Sequence, residues 1–504
     1  MRRRVSLLAA ACAVSLTACA APVATAAAVP PVATAASETA ATHQPGVART
    51  EAATGQGGAA ATGSVATGQP GVARPGTAAT ATATPAATST APPVEIPDTP
   101  LGDALRWVLD ASTRAPVGES ELRTRIAPEF LAAVPAEQFD AVLTAYPDLS
   151  LRAVSVAHAA ALVAGVESGG KRFLLELSVD GAGLINGMRL TEAPAPQPAP
   201  KSWKELERRL RAVAPRAGFV AARVDGRACR TVRGVAADVR RPLGSMFKLY
   251  VLGTVAGQIK KGAYGWDTEL TITADVKSLP TGQLQDRPDG SRVTVLEAAR
   301  LMISISDNTA TDLLIRKAGR EAVERTMRSW TKGHDRRNTP LLTTRELFVL
   351  KGARYPELAE RYLSMNTRDR RDYLAKVVAK VPLSDIRPWT HPRELDTIEW
   401  YASPEDVCRA HAALSGLGDE RVDEIMSAND AGLGLPPDRW RSVWFKGGSE
   451  PGVYDMGFRA RTTGGRTYAV TLMGVNPDAP FDDGKTGQEF LALARGAFAL
   501  AARG

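Results

Sequence analysis

Cysteine and histidine are scarce in this chain, four and five among 504 residues. Neither recurs at ligand spacing, so no protein-held metal centre or other cofactor is expected. Also missing is a basic block with interleaved aromatics. The formal charge of +8 comes from 62 bases scattered among 54 acids, which argues against nucleic acid as a partner. Attraction to an anionic cell surface stays open but unspecific. Large apolar side chains are nearly absent from residues 20–94, which consist almost entirely of Ala, Thr, Pro, Gly, Val and Ser. Such a stretch cannot bury a core and reads as a disordered tether, with QPGVAR at 44–49 repeated at 69–74.

The amino end carries an address. Arg2, Arg3 and Arg4 precede an apolar run from Val5 to Leu16, too short to span a bilayer comfortably, so residues 1–19 read as a signal peptide. Leu16-Thr17-Ala18-Cys19 resembles the bacterial lipobox, in which cleavage precedes a cysteine that is then lipidated. The expectation is an exported chain held to the outer face of the membrane through Cys19. The alternative is a plain secretory signal cut at Ala21 or beyond. Cys12 leaves with the signal, so Cys229 and Cys408 remain, able to pair in an oxidising compartment if geometry allows.

Two bodies are expected behind the tether. Over residues 95–192, helical patterns (Leu101, Leu105, Val108 and Leu109, then Glu121 to Leu143) precede four strand-like runs, LRAVSV, AALVAGV, KRFLLELSV and LINGMRL. Helices followed by an antiparallel sheet make a small α+β domain. Its one histidine, His158, reads as structural. The Pro/Ala linker APAPQPAP, 193–200, closes it. From residue 201 to 504 a helix (Trp203 to Val213) leads into a hairpin turning at Asp225-Gly226. A long helical middle follows, and strands turning at Gly464-Gly465 precede a last helix, Gln488 to Arg503. Strands at both ends of a helical middle predict one antiparallel sheet flanked by helices.

In GSMFKLYVL, residues 244–252, Ser245 and Lys248 stand three apart, which on a helix puts both on one face beside the unpaired amide N–H groups of its amino end. A neutral lysine there can take the hydroxyl proton, and burial or a second cation would keep it neutral. Taken alone, the pattern reads by default as a helix cap. Two later stretches alter that reading. Ser306-Asp307-Asn308 lies within SISDNTATDLL, and Lys446-Gly447-Gly448 ends the apolar run VWF ahead of an expected turn.

These three motifs in this order resemble the penicillin-recognising serine enzymes, the class A β-lactamases and D,D-peptidases, over roughly residues 201–504. The resemblance implies an α/β serine hydrolase domain acting on a small acyl substrate. It makes Ser245 the acylated nucleophile, Lys248 its base and Ser306 the proton shuttle. Asn308 would bind the substrate amide and Lys248. Lys446 would attract a substrate carboxylate and help keep Lys248 neutral, and the amides of Ser245 and Ser449, beside Gly448, would form the oxyanion hole. The chain also departs from the family. No E-x-x-L-N segment follows the second motif, so the loop bearing the deacylating glutamate reads as deleted. Glu346 reads as a surface residue, and Gly447 stands where the family has Thr or Ser.

The two-domain plan is similar to the mycobacterial lipoproteins of the F type and to the cephalosporin esterase-like protein of clavulanic acid clusters. That likeness implies a cystatin-like or ketosteroid-isomerase-like amino-terminal domain without catalytic residues. Packing of Asp396 to Cys408 near the space of the missing loop would let Glu399 and Trp400 reach the site, and a core or surface role for both is the equal alternative. Three functions follow: an esterase-like or weakly β-lactam-hydrolysing enzyme, a D,D-peptidase or transpeptidase on wall peptides, or a non-catalytic wall-binding lipoprotein. A monomer is expected.

Overall fold

The computed structural model describes Val94, Ile96 and residues 98–158, 161–193 and 197–503. The signal peptide, Cys19 and the tether lie outside the described residues, as does the side chain of His158.

The first body opens with α1 (Pro100–Arg114). Thr99 caps it by accepting from the Gly102 amide at 3.1 Å, and Pro100 occupies the first helical position, where its missing N–H costs nothing. Next come α2 (Glu119–Arg125), α3 (Pro128–Ala133) and α4 (Ala136–Ala145). Strands β1 (Ser150–His158), β2 (Ala161–Ser168), β3 (Lys171–Val179) and β4 (Ile185–Glu192) pair antiparallel in chain order. Alternate residues of β2 (Leu162, Ala164, Val166) and β3 (Phe173, Leu175, Leu177) face Leu105, Val108, Phe139 and Leu143 in one apolar core.

The second body begins with α5 (Trp203–Val213), β5 (Arg216–Asp225), β6 (Ala228–Val235) and β7 (Arg241–Pro242). A 3₁₀ turn, Gly244–Phe247, runs into α6 (Lys248–Lys260). Then follow β8 (Glu269–Thr271), β9 (Arg292–Thr294), α7 (Val295–Ser304), α8 (Asn308–Ala318) and α9 (Arg320–Trp330). The chain continues through α10 (Thr344–Gly352), α11 (Glu357–Leu363), α12 (Thr367–Lys376), β10 (Tyr401–Ala402), α13 (Pro404–Ser415) and α14 (Glu420–Ser427). It closes with β11 (Trp440–Glu450), β12 (Val453–Thr462), β13 (Thr467–Val475) and α15 (Asp483–Ala501).

The main sheet has the order β11-β12-β13-β5-β6, all antiparallel, so strands from both ends of the body meet at β13 and β5. Those two inner strands are apolar on both faces, which the runs FVAARV and YAVTLMGV already show. One face packs on α5 and α15 through Leu206, Leu210, Phe490 and Phe498. The larger core gathers around α6, buried from Lys248 to Ala256, as a helix apolar all round must be.

Several expectations need correction. The last helix starts at Asp483, because Asp482 caps it by accepting from the Lys485 amide. Lys446-Gly447-Gly448 does not end its strand, since β11 pairs with β12 as far as Glu450. Glu346 is not a surface residue: it lies buried, completes a capping box with Thr343, and pairs with Arg320 at 2.6 Å.

Candidate active site

Ser245 sits in the 3₁₀ turn and Lys248 is the first residue of α6. In a 3₁₀ turn, with three residues per turn, positions i and i+3 eclipse, so the spacing aligns the pair without an α-helix between them. Ser245 is half-buried at the cleft, and Lys248 is wholly buried.

Three acceptors surround the amine. Lys248 Nζ donates to Ser306 O at 2.7 Å, to Ser306 Oγ at 3.0 Å and to Asn308 Oδ1 at 2.7 Å, with Ser245 Oγ not among its acceptors. Lys446 Nζ reaches the same Ser306 Oγ at 3.1 Å and its neighbour Gly447 O at 3.0 Å. Ser306 is thus shared by two lysines from segments 58 and 140 residues away. Among the described residues, no carboxylate forms an ion pair with Lys248.

The second motif divides its labour by position. Asp307 caps α8 through the Ala310 amide at 2.8 Å, and its other oxygen accepts from the Gln283 and Leu284 amides at 2.8 and 3.0 Å. The capping reading therefore holds for Asp307, and the loop GQLQDRPDGS is pinned to the site by it. Ser306, at φ +59°, is turned the other way toward the lysines. Thr281, which belongs to none of the three motifs, donates to Ser306 O at 2.9 Å, and Asn308 Nδ2 donates to Leu279 O at 2.9 Å.

Burial dominates the electrostatics. It pushes Lys248 well below the usual lysine range, and the neighbouring Lys446 cation pushes it further the same way. Burial alone brings Lys446 down to about 7.

Edge strand β11 lies against the nucleophile turn at contact distance. A Cβ on Gly448 would overlap Leu243 O and sit 2.9 Å from the Ser245 nitrogen. A Cβ on Gly244, at φ +46°, would sit 2.9 Å from the Ser449 nitrogen. Glycine on both sides lets the two backbone segments that carry Ser245 and Ser449 approach this closely. A Cβ on Gly447 would meet Phe445 Cζ at 2.9 Å, so Phe445 occupies part of the space a larger residue there would need.

Trp400 stacks on Phe247, ring centroids 3.7 Å apart and 7° from parallel, and its carbonyl accepts from the Leu243 amide at 2.8 Å. It supports the turn from behind. Glu399 is buried beside Lys351 and Glu450 and pairs with neither Ser245 nor Lys248. Cys229 and Cys408 form a disulfide. Among the described residues no cluster of His, Cys, Asp and Glu is arranged to hold a metal.

Residues 202–381 match the model of the beta-lactamase enzyme family, and residues 96–185 match that described as ORF 12 gene product N-terminal. No curated protein matches the chain. Among solved structures, PBP-A is 18% identical, covering 61% of this chain and 100% of its own, with a TM-score of 0.41. A beta-lactamase from Sphaerobacter thermophilus is 18% identical, covering 60% and 98%, also at 0.41. An ancestral class A beta-lactamase is 18% identical, covering 59% and 98%, at the same score. The stretch that matches this family holds Ser245, Lys248, Ser306 and Asn308, and Lys446 reaches Ser306 from β11, beyond that stretch; the second body is thus similar to the beta-lactamase enzyme family.

Proposed function

We propose that this chain is an exported serine acyl hydrolase that forms an acyl-enzyme on Ser245. The observation that carries the reading is Lys248: fully buried, held by Ser306 and Asn308, and beside a second lysine, it is an amine prepared to be neutral next to a serine hydroxyl. Lys248 takes the Ser245 proton, and the Ser245 and Ser449 amides receive the charge that develops on the carbonyl oxygen. Ser306 carries the proton to the leaving group, while Lys446 attracts a carboxylate on the substrate.

The substrate is a small acyl compound, an ester or a β-lactam. The absence of any carboxylate paired with Lys248 among the described residues favours slow deacylation of β-lactams. It equally supports the second reading, a D,D-peptidase or transpeptidase on wall peptides. Residues 98–192 carry the helices and four-stranded sheet of a cystatin-like or ketosteroid-isomerase-like domain in this proposal. The Cys229–Cys408 disulfide suits an oxidising compartment, in keeping with export and a lipid on Cys19.

The test incubates the purified chain with a fluorescent penicillin and a chromogenic cephalosporin ester, following adduct mass and turnover. Ester turnover lost in Ser245→Ala supports the hydrolase, and a lasting Ser245 adduct without turnover supports the peptidase. Neither adduct nor turnover rejects both, leaving the non-catalytic lipoprotein.

A further inference from the structure

Outside the acyl-transfer set, one cluster of ionisable side chains is fully enclosed. Lys351 of α10 has no exposed surface, and its Nζ donates to Glu450 Oε1 at 2.6 Å, with Glu399 Oε1 3.8 Å away. Glu399 Oε2 accepts from the Trp400 amide at 2.8 Å, and the Lys351 carbonyl accepts from Arg393 at 2.6 Å. Burial, together with the nearby Glu450 charge, raises Glu399 well above the usual carboxyl range. Enclosing three such groups is costly compared with an apolar core of the same volume, so their worth lies in the geometry they fix.

The cluster adjoins both segments that bear on the proposed oxyanion donors. Glu450 directly follows Ser449, whose amide faces the nucleophile turn. Glu399 directly precedes Trp400, whose ring stacks on Phe247 and whose carbonyl holds the Leu243 amide. Lys351 joins the two carboxyls, and it does so from the helical stretch that follows the second motif.

We propose that Lys351, Glu450 and Glu399 form a positioning device that fixes the Ser449 amide relative to the Ser245 amide. The proposal rests on the acyl-serine reading above and adds residues that the three motifs do not contain.

The test uses the full chain as wild type, Lys351→Met, Glu450→Gln, the double variant of these two, and Glu399→Gln. Melting temperature, acylation rate by a fluorescent penicillin, and amide hydrogen exchange over residues 446–450 are measured for each. Each single change at Lys351 or Glu450 leaves a buried charge unpaired and lowers the melting temperature. The double variant removes both charges and regains most of it. Positioning predicts that the double variant still acylates slower by on the order of tenfold or more, because an oxyanion donor has drifted. Its 446–450 amides exchange faster while the rest of the sheet does not. Glu399→Gln keeps the side chain's shape and its acceptor for the Trp400 amide, so it slows acylation less than the double variant does. A double variant that acylates at the wild-type rate overturns the proposal. If even the wild type forms no adduct, the acyl-serine reading fails by itself and exchange decides: unchanged protection of 446–450 in the double variant overturns positioning, and selective loss of protection supports it.

Discussion

Lys248 has three acceptors, and what they mean depends on its proton. As an ammonium it satisfies all three with its three N–H groups. As a neutral amine it keeps two and presents a lone pair, and of its partners only the Ser306 hydroxyl can turn around and donate. In the proposed mechanism Ser306 is thus the partner to which Lys248 can pass on the proton it takes from Ser245, and Ser306→Ala should slow acylation on the order of 10²-fold, read by stopped-flow fluorescence. Lys446 sets a pH limit. Its charge is present below about 7 and lost above it, so acylation by substrates bearing a carboxylate should decline as pH rises through that value. A neutral ester should decline less, and identical profiles for the two would count against a carboxylate role for Lys446. At Gly448 the constraint is steric: a methyl group would run into the Leu243 carbonyl, which is backbone and cannot rotate away. Gly448→Ala should open the gap between β11 and the turn and cost about 10²-fold or more in acylation.

Among the elements, α8 shows how folding and chemistry share one tripeptide. Its cap, Asp307, accepts three backbone amides while its neighbours on either side face the lysines. Asp307→Ala should remove about 1 kcal/mol for the cap and about 1–3 kcal/mol for each loop amide left buried without a partner. Denaturant titration measures that loss, and acylation should fall with it because the loop carrying Thr281 is released. Much at this level was legible beforehand. Trp203–Val213 forms as the pattern of Leu206 and Leu210 predicts, and both expected hairpins form, because a turn dipeptide between apolar runs is a local instruction. Other elements were not. The ladders β7–β10 and β8–β9 are two or three residues long and join remote segments, so they have no periodicity to read. Glu346 looked solvated because its partner, Arg320, lies 26 residues back on another helix.

At the scale of the whole molecule, one crosslink ties β6, the exposed edge of the sheet, to α13 on the sheet's inner face. Cys229 and Cys408 are separated by 179 residues, and in the chain-entropy view closing so long a loop stabilises by about 5 kcal/mol. Reduction, or Cys229→Ala with Cys408→Ala, should therefore lower the unfolding free energy by several kcal/mol, measured with and without reductant. Two described residues of the linker are also anchored: Arg209 of α5 donates to Pro198 O at 2.7 Å and Arg495 of α15 to Gln197 O at 3.2 Å. The sequence by itself determined the helix Trp203–Val213, the two hairpins and the apolar inner strands, and it offered Ser245, Lys248, Ser306, Asn308 and Lys446 as candidates, since each is written in neighbouring residues or in a short motif. Only the tertiary structure decided that Ser306 lies between two lysines, that β11 meets the turn at Gly448, and that Lys351, Glu399 and Glu450 share one enclosed space. Those contacts join residues separated by tens to more than a hundred positions, and sheet order and burial, which no local pattern encodes, bring them together.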